Sequence, residues 1–248
     1  MTVPALAVIL GRAGSKGVPG KNMRIIGGRP SAAWTLQHAI DAKKVGAIDR
    51  IAVSTDCPDL SRLAGEMDVE VVKRPAELAT DGATVDDSVR HAVQTLGGGF
   101  DIIVILYANV PIRPAGLVAR AVTLLRDTNA DSVQSYEPVG KHHPWWTAVV
   151  ASSEQGGTVR PWEGDILNHG VYRRQDLPTA HIPDGGVLAV TGRALALQIP
   201  GVQPGPHAFF GRDRRGIINP EGSVVDIDSE IDLLVADAML RARGATSS

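Results

Sequence analysis

The segment Asp101–Tyr107 reads Asp-Ile-Ile-Val-Ile-Leu-Tyr. Side chains alternate across a strand, so this run is apolar on both of its faces. Such a strand is stable only inside a sheet that is covered on both sides, as central parallel strands are. The rest of the chain has to be arranged around it. Pro4–Leu10 (Pro-Ala-Leu-Ala-Val-Ile-Leu) is a second run of the same kind, and Arg50–Thr55 and Val69–Val72 read as further strands. Helical spacing fills the gaps. Ser31–Ala42 places Ala32, Trp34, Leu36, Ala39 and Ile40 at suitable intervals, and Pro58–Met67, Thr84–Leu96 and Pro114–Arg126 follow. Pro114 suits a first helical turn. Strands alternating with helices form βαβ units with right-handed crossovers, so the fold class is α/β, with a mostly parallel sheet and helices on both faces.

The alternation breaks near residue 137. Residues 138–184 contain His142-His143-Pro144-Trp145-Trp146 and many Gly, Pro and Arg. They read as an excursion from the sheet, either a small subdomain or an oligomer-forming arm. The adjacent tryptophans suit an interface or a cover for the end of the core. The regular pattern returns at Val187–Val190 and at Val224–Ile227. The last helix opens on a capping box formed by Ser229 and Asp232. Ile231, Leu234, Val235, Ala238 and Met239 fall on one face of it. Ala245–Ser248 reads as a frayed tail. The expected division is an α/β domain from 1–137 and 185–244, with 138–184 set apart.

Composition excludes several classes. Lys+Arg is 25 and Asp+Glu is 27, a formal net charge of -2. A nucleic-acid binder would carry a basic excess, and so would a polybasic membrane-surface protein. Cys57 stands alone. No intrachain disulfide or Cys-rich zinc site can form, and a reducing compartment is the simpler reading. Pro4–Leu10 has no basic residue before it, which favours a first strand over a signal-peptide core. No other apolar run approaches the ~20 residues that span a bilayer. The expected location is the cytoplasm.

The charges are nevertheless ordered. The first 40 residues hold Arg12, Lys16, Lys21, Arg24 and Arg29 and no acid, whereas 226–237 hold Asp226, Asp228, Glu230, Asp232 and Asp237 and no base. Arg12, Lys16 and Lys21 of this group lie in a Gly-rich loop, Gly11-Arg12-Ala13-Gly14-Ser15-Lys16-Gly17-Val18-Pro19-Gly20-Lys21-Asn22, directly after the first strand. Open α/β sheets bind ligands at that place. The loop is not a Walker P-loop, because Pro19 stands where a second Gly is required and no Ser or Thr follows Lys21. Nor does it match the dinucleotide fingerprint, since Gly14, Gly17 and Gly20 are spaced three apart. It still combines glycines, which let backbone N–H groups approach phosphate oxygens, with cations that neutralise them. Composition of this kind is shared by many surface loops.

The ordered string is more specific. Leu10-Gly11-Arg12-x-x-Ser15-Lys16-Gly17-x-x-x-Lys21-Asn22 resembles the acylneuraminate cytidylyltransferase family, the CMP-sialic acid synthetases and their relatives. The resemblance continues in Asp49–Asp56, in Arg74-Pro75-x-x-Leu78-Ala79-x-Asp81, in His142-His143-Pro144, in Arg173–Pro178 and in Asp226–Asp232. It implies a Rossmann-like nucleotidyltransferase domain with a small dimerisation subdomain at 138–184, and a homodimer whose contacts complete each site. It implies transfer of CMP from CTP to a nonulosonate-like sugar acid, with release of pyrophosphate. By resemblance Arg12 and Lys21 are catalytic, and Gly11, Arg12, Ser15, Lys16, Lys21 and Asn22 hold the nucleotide with Arg74, Asp81 and Ala83. Asp226 and Asp228 match metal-binding aspartates, for which Mg2+ is the expected cofactor.

Each residue also has an ordinary reading. Asp226-x-Asp228 suits a solvated strand end as well as a metal pair, and Asp232 is a helix cap. Arg74 suits a surface position, His142 and His143 lack a third ligand, and Cys57 suits a small apolar filler. A nucleotidyltransferase that uses another NTP or a sugar 1-phosphate, and a non-catalytic nucleotide-binding protein, remain as alternatives.

The acceptor side departs from the family. Sialate enzymes carry Gln-Pro-Thr-Ser-Pro-Leu-Arg after the strong strand, whereas this chain has Tyr107-Ala108-Asn109-Val110-Pro111-Ile112-Arg113, closer to the pseudaminic acid branch. The family's Arg-Pro-Asn-Gly becomes Ile182-Pro183-Asp184-Gly185, and Trp146 replaces a basic residue. Tyr107, Asn109, Trp146 and Asp184 are therefore the candidate acceptor residues. Losing cations predicts a less anionic or differently shaped acceptor.

Overall fold

The structure is a computed structural model that describes residues 4–14, 17–152 and 156–245. Of the expected frayed tail, only Ala245 lies among the described residues.

Strand β1 (Ala5–Leu10) is buried throughout. Its side chains alternate between two cores: Ala5, Ala7 and Ile9 point to one, and Leu6, Val8 and Leu10 to the other. A short hairpin, β2 (Ile25–Ile26) and β3 (Arg29–Pro30), leads into helix α1 (Ser31–Lys44). Strand β4 (Arg50–Thr55), helix α2 (Pro58–Glu66) and strand β5 (Glu70–Lys73) follow. Helix α3 (Val85–Thr95) is capped by Thr84, whose hydroxyl accepts the Asp87 N–H at 3.2 Å. Next come β6 (Ile102–Tyr107), α4 (Leu117–Thr128) and β7 (Ser132–Pro138). Residues 139–180 leave the sheet in a series of tight turns and a small hairpin of β8 (Ala148–Val150) and β9 (Val159–Pro161). The chain returns through β10 (His181–Thr191), α5 (Gly192–Leu195) and β11 (Arg214–Ile218), and closes with α6 (Glu230–Ala245).

The main sheet has seven strands in the order β11-β7-β10-β6-β1-β4-β5. Every neighbouring pair is parallel except those of β10, which runs against β6 and β7. Helices α1, α2 and α4 cover one face, and α3, α5 and Phe209–Phe210 cover the other. The architecture is the expected α/β fold. From β1 the chain moves outward through β4 and β5, then returns to the opposite side at β6. A switch point therefore lies between the carboxyl ends of β1 and β6.

Four expectations need correction. Val224–Ile227 forms no strand, only a single bridge from Val225 to Ile112. It crosses the loop after β6, where Ile227 donates to the Asn109 carbonyl at 2.9 Å, so no neighbouring strand lies alongside it. Helix α4 starts at Leu117 behind Gly116 (φ 68), and Pro114 belongs to the preceding turn. The excursion is shorter than 138–184, because β7 includes Pro138 and β10 begins at His181. Helix α6 has the capping box, with Ser229 Oγ accepting the Asp232 N–H and Asp232 Oδ2 accepting the Ser229 N–H at 2.7 Å. However, it buries Leu233, Ala236 and Leu240 against Val18, Ile26, Ile112 and Ile227, leaving Ile231 71% and Leu234 68% exposed. This helix is apolar nearly all round, so periodicity alone does not choose its inner face. Asp237, which accepts the Gly27 N–H at 2.8 Å, helps orient it.

Candidate active site

At the switch point Leu10 pairs with Tyr107, and a cleft of about 260 Å3 opens between the two strand ends. The loop after β1 forms one wall through Gly11, Arg12, Lys21 and Asn22. Arg74, after β5, and the turn bearing Asp81 and Ala83 form another, and Tyr107 and Asn109 complete the cleft. These residues are far apart in the chain and are brought together by the fold. Leu78, from the Arg74–Asp81 motif, also lines it, as do Thr84, Val85 and Ser88, which no motif marks. Thr84 caps α3 and Val85 opens it, a helix-start signal that marks their place. Ser15 and Lys16 lie outside the described residues.

Two glycines explain why the loop can sit so close. A Cβ on Gly11 would stand 2.4 Å from Leu60 Cδ2 and 3.0 Å from Ala108 Cβ. A Cβ on Gly17 would stand 2.2 Å from the backbone oxygen of Asp228. The loop is thereby pressed against α2 on one side and against the acidic segment on the other. Buried Val18 packs with Ile227, and Asn22 Nδ2 donates to the Arg12 carbonyl at 3.1 Å, closing the loop on itself.

The cations of the cleft are engaged. Arg12 pairs with Asp81 at 2.7 Å, and Lys21 pairs with Asp228 at 2.7 Å. Arg74 is buried, donating from Nη2 to the Ser54 carbonyl at 2.6 Å and from Nε to Ser54 Oγ at 3.2 Å. Burial lowers its affinity for its proton; Asp56 opposes this, while Arg12 adds to it.

Asp226 lies beneath Lys21. Burial and the neighbouring Asp228 charge push its carboxyl up to about 6, against the pull of Lys21 and Arg113. Asn109 Nδ2 donates to Asp226 Oδ1 and, at 3.3 Å, to the Ile227 carbonyl. The Tyr107 hydroxyl is also shifted upward, by burial and then by Asp226. Below them lies Arg113, 1% exposed. It donates to the carbonyls of Gly186 (2.5 Å), Tyr107 (3.2 Å) and Val110, and to Thr35 Oγ1 at 2.9 Å. Burial brings its pKa down to about 9, opposed by Asp226 and Asp184. This arginine ties the loop after β6 to β10. Its place in the sequence, matching the last residue of the family's Gln-Pro-Thr-Ser-Pro-Leu-Arg, is the signal that could have found it.

A second cavity, about 610 Å3, shares Tyr107, Thr84 and Val85 with the first. Tyr136, Pro183, Gly185, Phe209, Phe210 and Arg214 complete most of its wall. Phe209 and Phe210 are two of the three phenylalanines in the chain, a compositional signal for this wall. Asp184 and Trp146 line neither cavity. The Asp184 carboxylate accepts from Ser135 Oγ, from the Gly186 N–H at 2.9 Å and from Asn219 Nδ2 at 2.6 Å, fixing the irregular stretch of β10 between Pro183 and Leu188. Trp146 donates to the Val171 carbonyl at 2.9 Å within the excursion. His143 is buried there, with Nε2 3.1 Å from the Pro178 carbonyl and Nδ1 accepting the Trp145 N–H at 3.2 Å. No helix among the described residues is long and apolar enough to cross a membrane.

A mostly parallel sheet that opens at its switch point into a cationic glycine loop defines an α/β protein of the nucleotidyltransferase type. The solved structure of CMP:2-keto-3-deoxy-manno-octonic acid synthetase complexed with CTP has the same fold, with TM-score 0.68 at 16% identity, covering 97% of this chain and 99% of the other. The chain belongs to the cytidylyltransferase family, which it matches over residues 6–148. It is 30% identical over 233 residues to N-acylneuraminate cytidylyltransferase of Oncorhynchus mykiss, covering 93% of this chain and 49% of that protein. It is 25% identical to post-translational flagellin modification protein B of Campylobacter coli, covering 96% of this chain and 95% of that protein. The chain spans about half the length of the curated N-acylneuraminate cytidylyltransferases it matches.

Proposed function

We propose that the chain transfers CMP from CTP to a sugar acid and releases pyrophosphate. The observation that carries this is the meeting of two cavities at Tyr107, one cationic with a glycine loop and the other large and partly aromatic. A nucleotide in the cleft would set its base against apolar Leu10, Leu78, Ala83 and Val85. Its phosphates would meet Arg12 and Lys21. An acceptor hydroxyl entering from the second cavity then attacks the α-phosphate, and the bond to pyrophosphate breaks. Negative charge gathers on the leaving oxygens, and cations fixed beforehand stabilise it without reorganising. Positioning supplies much of the remainder.

Arg12 and Lys21 are held by carboxylates before the nucleotide arrives, so the phosphates replace Asp81 and Asp228 as their partners. Arg74, held by Ser54, is the buried donor for the base.

Asp226 and Asp228 suit a hard divalent cation. Burial and then the Asp228 charge raise the Asp226 carboxyl, and a bound cation would offset both. A Mg2+ site of two carboxylates completed by substrate phosphates and water fits this pair. Bound there, the ion would neutralise phosphate charge. The excursion presents Trp162, Ile166, Leu167 and Tyr172 to solvent, with Tyr172 82% exposed, and this supports its role as the dimerising subdomain.

Pyrophosphate release with CTP, UTP, GTP and ATP, each offered with a panel of sugar acids and sugar 1-phosphates, tests the assignment. CTP with a sugar acid is expected to turn over. Preference for another base, or for a sugar 1-phosphate, would contradict it.

A further inference from the structure

The loop after β6 presents Tyr107 and Asn109 to the nucleotide cleft and Pro111 to a third cavity, of about 450 Å3. This cavity shares no lining residue with the cleft or with the second cavity. We propose that it is a separate binding site for a small phosphomonoester, such as a sugar phosphate. The proposal goes beyond the transfer reaction and does not depend on it.

Three elements wall the cavity. Trp34 and Asp41 stand two turns apart on α1, Arg29 comes from the hairpin of β2 and β3, and Arg241 and Arg243 come from the end of α6. The walls are locked to one another. A Cβ on Gly27 would stand 2.7 Å from Leu240 Cβ and 2.9 Å from Trp34 Cζ2, so the hairpin is pressed between the two helices. Asp237 accepts the Gly27 N–H at 2.8 Å and Arg241 Nε at 2.8 Å. The cavity is therefore formed before any ligand arrives.

Its charge is one-sided. Arg29, Arg241 and Arg243 face a single lining acid, Asp41. Asp41 already accepts from Gln37 Nε2 at 2.8 Å and from Lys44 Nζ at 3.1 Å. Arg29 is the distinctive member. Its guanidinium carbon lies 3.6 Å from the Trp34 ring centroid, a stack that sets the plane of the fork. Its Nε is buried without a hydrogen-bond partner, and no carboxylate forms an ion pair with it among the described residues. Burial weakens its hold on its proton, and Asp41 opposes this. A partly desolvated, unneutralised guanidinium is the group that an anion stabilises most.

Charge and size select the class of anion. A carboxylate carries one charge, whereas a phosphomonoester carries nearly two and offers three acceptor oxygens to the three guanidinium groups. The cavity is larger than a bare phosphate requires, and Trp34, Pro111 and Leu240 give apolar surface for an organic body.

NMR of the full chain tests the assignment through its tryptophan indole N–H resonances, with Trp34 identified by its loss in W34F. Glucose 6-phosphate is the probe, and glucose is its uncharged control. The Trp34 resonance should move with glucose 6-phosphate at a Kd of about 1 mM or tighter, and should not move with glucose. In R29Q the affinity should fall by about tenfold or more, the effect of losing a charge-assisted hydrogen bond. R243Q, at the exposed end of α6, should weaken it in the same direction. Lys21→Ala, which alters the nucleotide cleft, should leave it unchanged. Equal shifts with glucose and glucose 6-phosphate overturn the proposal, as does no Trp34 shift at about 10 mM. Loss of the shift in Lys21→Ala overturns it too, because the ligand would then lie in the cleft. So does an unchanged affinity in R29Q, or in R243Q should R29Q fail to fold.

Discussion

The nucleotide cleft and the second cavity share Tyr107, Thr84 and Val85, but their walls are made differently. The cleft stands on the ends of β1 and β6, two strands buried on both faces. Its loop is pressed into place by Gly11 and Gly17, where not even a methyl group fits. The second cavity is walled by the irregular stretch of antiparallel β10, the edge strand β11 and the Phe209–Phe210 turn. Under the proposed function, the rigid floor would keep the transfer chemistry fixed, and the irregular wall beside it would let the acceptor vary. Sites placed on regular elements hold their groups more closely than sites placed on loops.

Substitutions can test that contrast. The largest effect should come from Lys21→Ala, because Lys21 is the cation linking the glycine loop to the acidic segment. We expect kcat/KM for pyrophosphate release to fall by roughly 10²–10³-fold, the usual cost of removing one fixed charge-stabilising donor. A loss smaller than fivefold would mean that the cleft does not hold its phosphates through this residue.

Gly17→Ala should come next. The added methyl would meet the Asp228 carbonyl, so the loop must move by about 1 Å, and misplacement on that scale costs about 10²-fold. The melting temperature should change little by comparison. The matching test on the other wall, Phe210→Leu, should alter the preference among acceptors and leave CTP binding unchanged. If Phe210→Leu weakens CTP as strongly as Gly17→Ala does, the two regions are not independent.

Helix α1, whose Thr35 hydroxyl donates to the Tyr107 and Val110 carbonyls, has its own signature. His38 on α1 is held down to about 4, first by burial and then by Arg113, with the Pro111 carbonyl and Asp41 opposing and Arg243 adding a smaller push. Its pKa in the unfolded chain is near 6.5. The unfolded state therefore binds more protons within that window, and stability falls as pH drops from about 6.5 toward 4. Between pH 8 and pH 5 the loss should be about 2 kcal/mol, measured by urea unfolding, and His38→Gln should remove that part of the slope. An unchanged slope in the variant would show that His38 is not the group responsible.

The smallest effect should come from Asp81→Asn. Its pair with Arg12 is half exposed, and such pairs contribute about 0.2–1 kcal/mol. CTP affinity should change by less than about fivefold. A larger loss would show Asp81 contacting the base directly.

Much of the fold was legible because its signals are strong. Pro4–Leu10 and Asp101–Tyr107 are apolar on both faces, and the spacing of Arg12, Lys21 and Asn22 is distinctive. Strand β7 and the edge strand β11 were harder to see, because Gln134, Tyr136, Arg214 and Arg215 give them no apolar run. The buried face of α6 was hidden by a surplus of apolar residues. Asp184 and Trp146 were singled out because their residue types are unusual there. Residue type does not report which hydrogen bonds a side chain already makes, and both are engaged by backbone and side-chain partners in the structure. Arg113 was visible as the end of the string after β6, but its role was not, for the converse reason. That role depends on the Thr35 and Gly186 partners that long-range folding brings near it, and local pattern does not carry that information.

The central claim is that a CMP group crosses from the cleft to an acid in the second cavity. Phosphorus NMR of a reaction containing the protein, CTP, Mg2+ and the sugar acid bound most tightly tests it most directly. The account predicts a new phosphodiester resonance and pyrophosphate appearing in equal amounts, both abolished in Lys21→Ala. Pyrophosphate with CMP and no phosphodiester, or intact CTP under conditions where both ligands are bound, would contradict it.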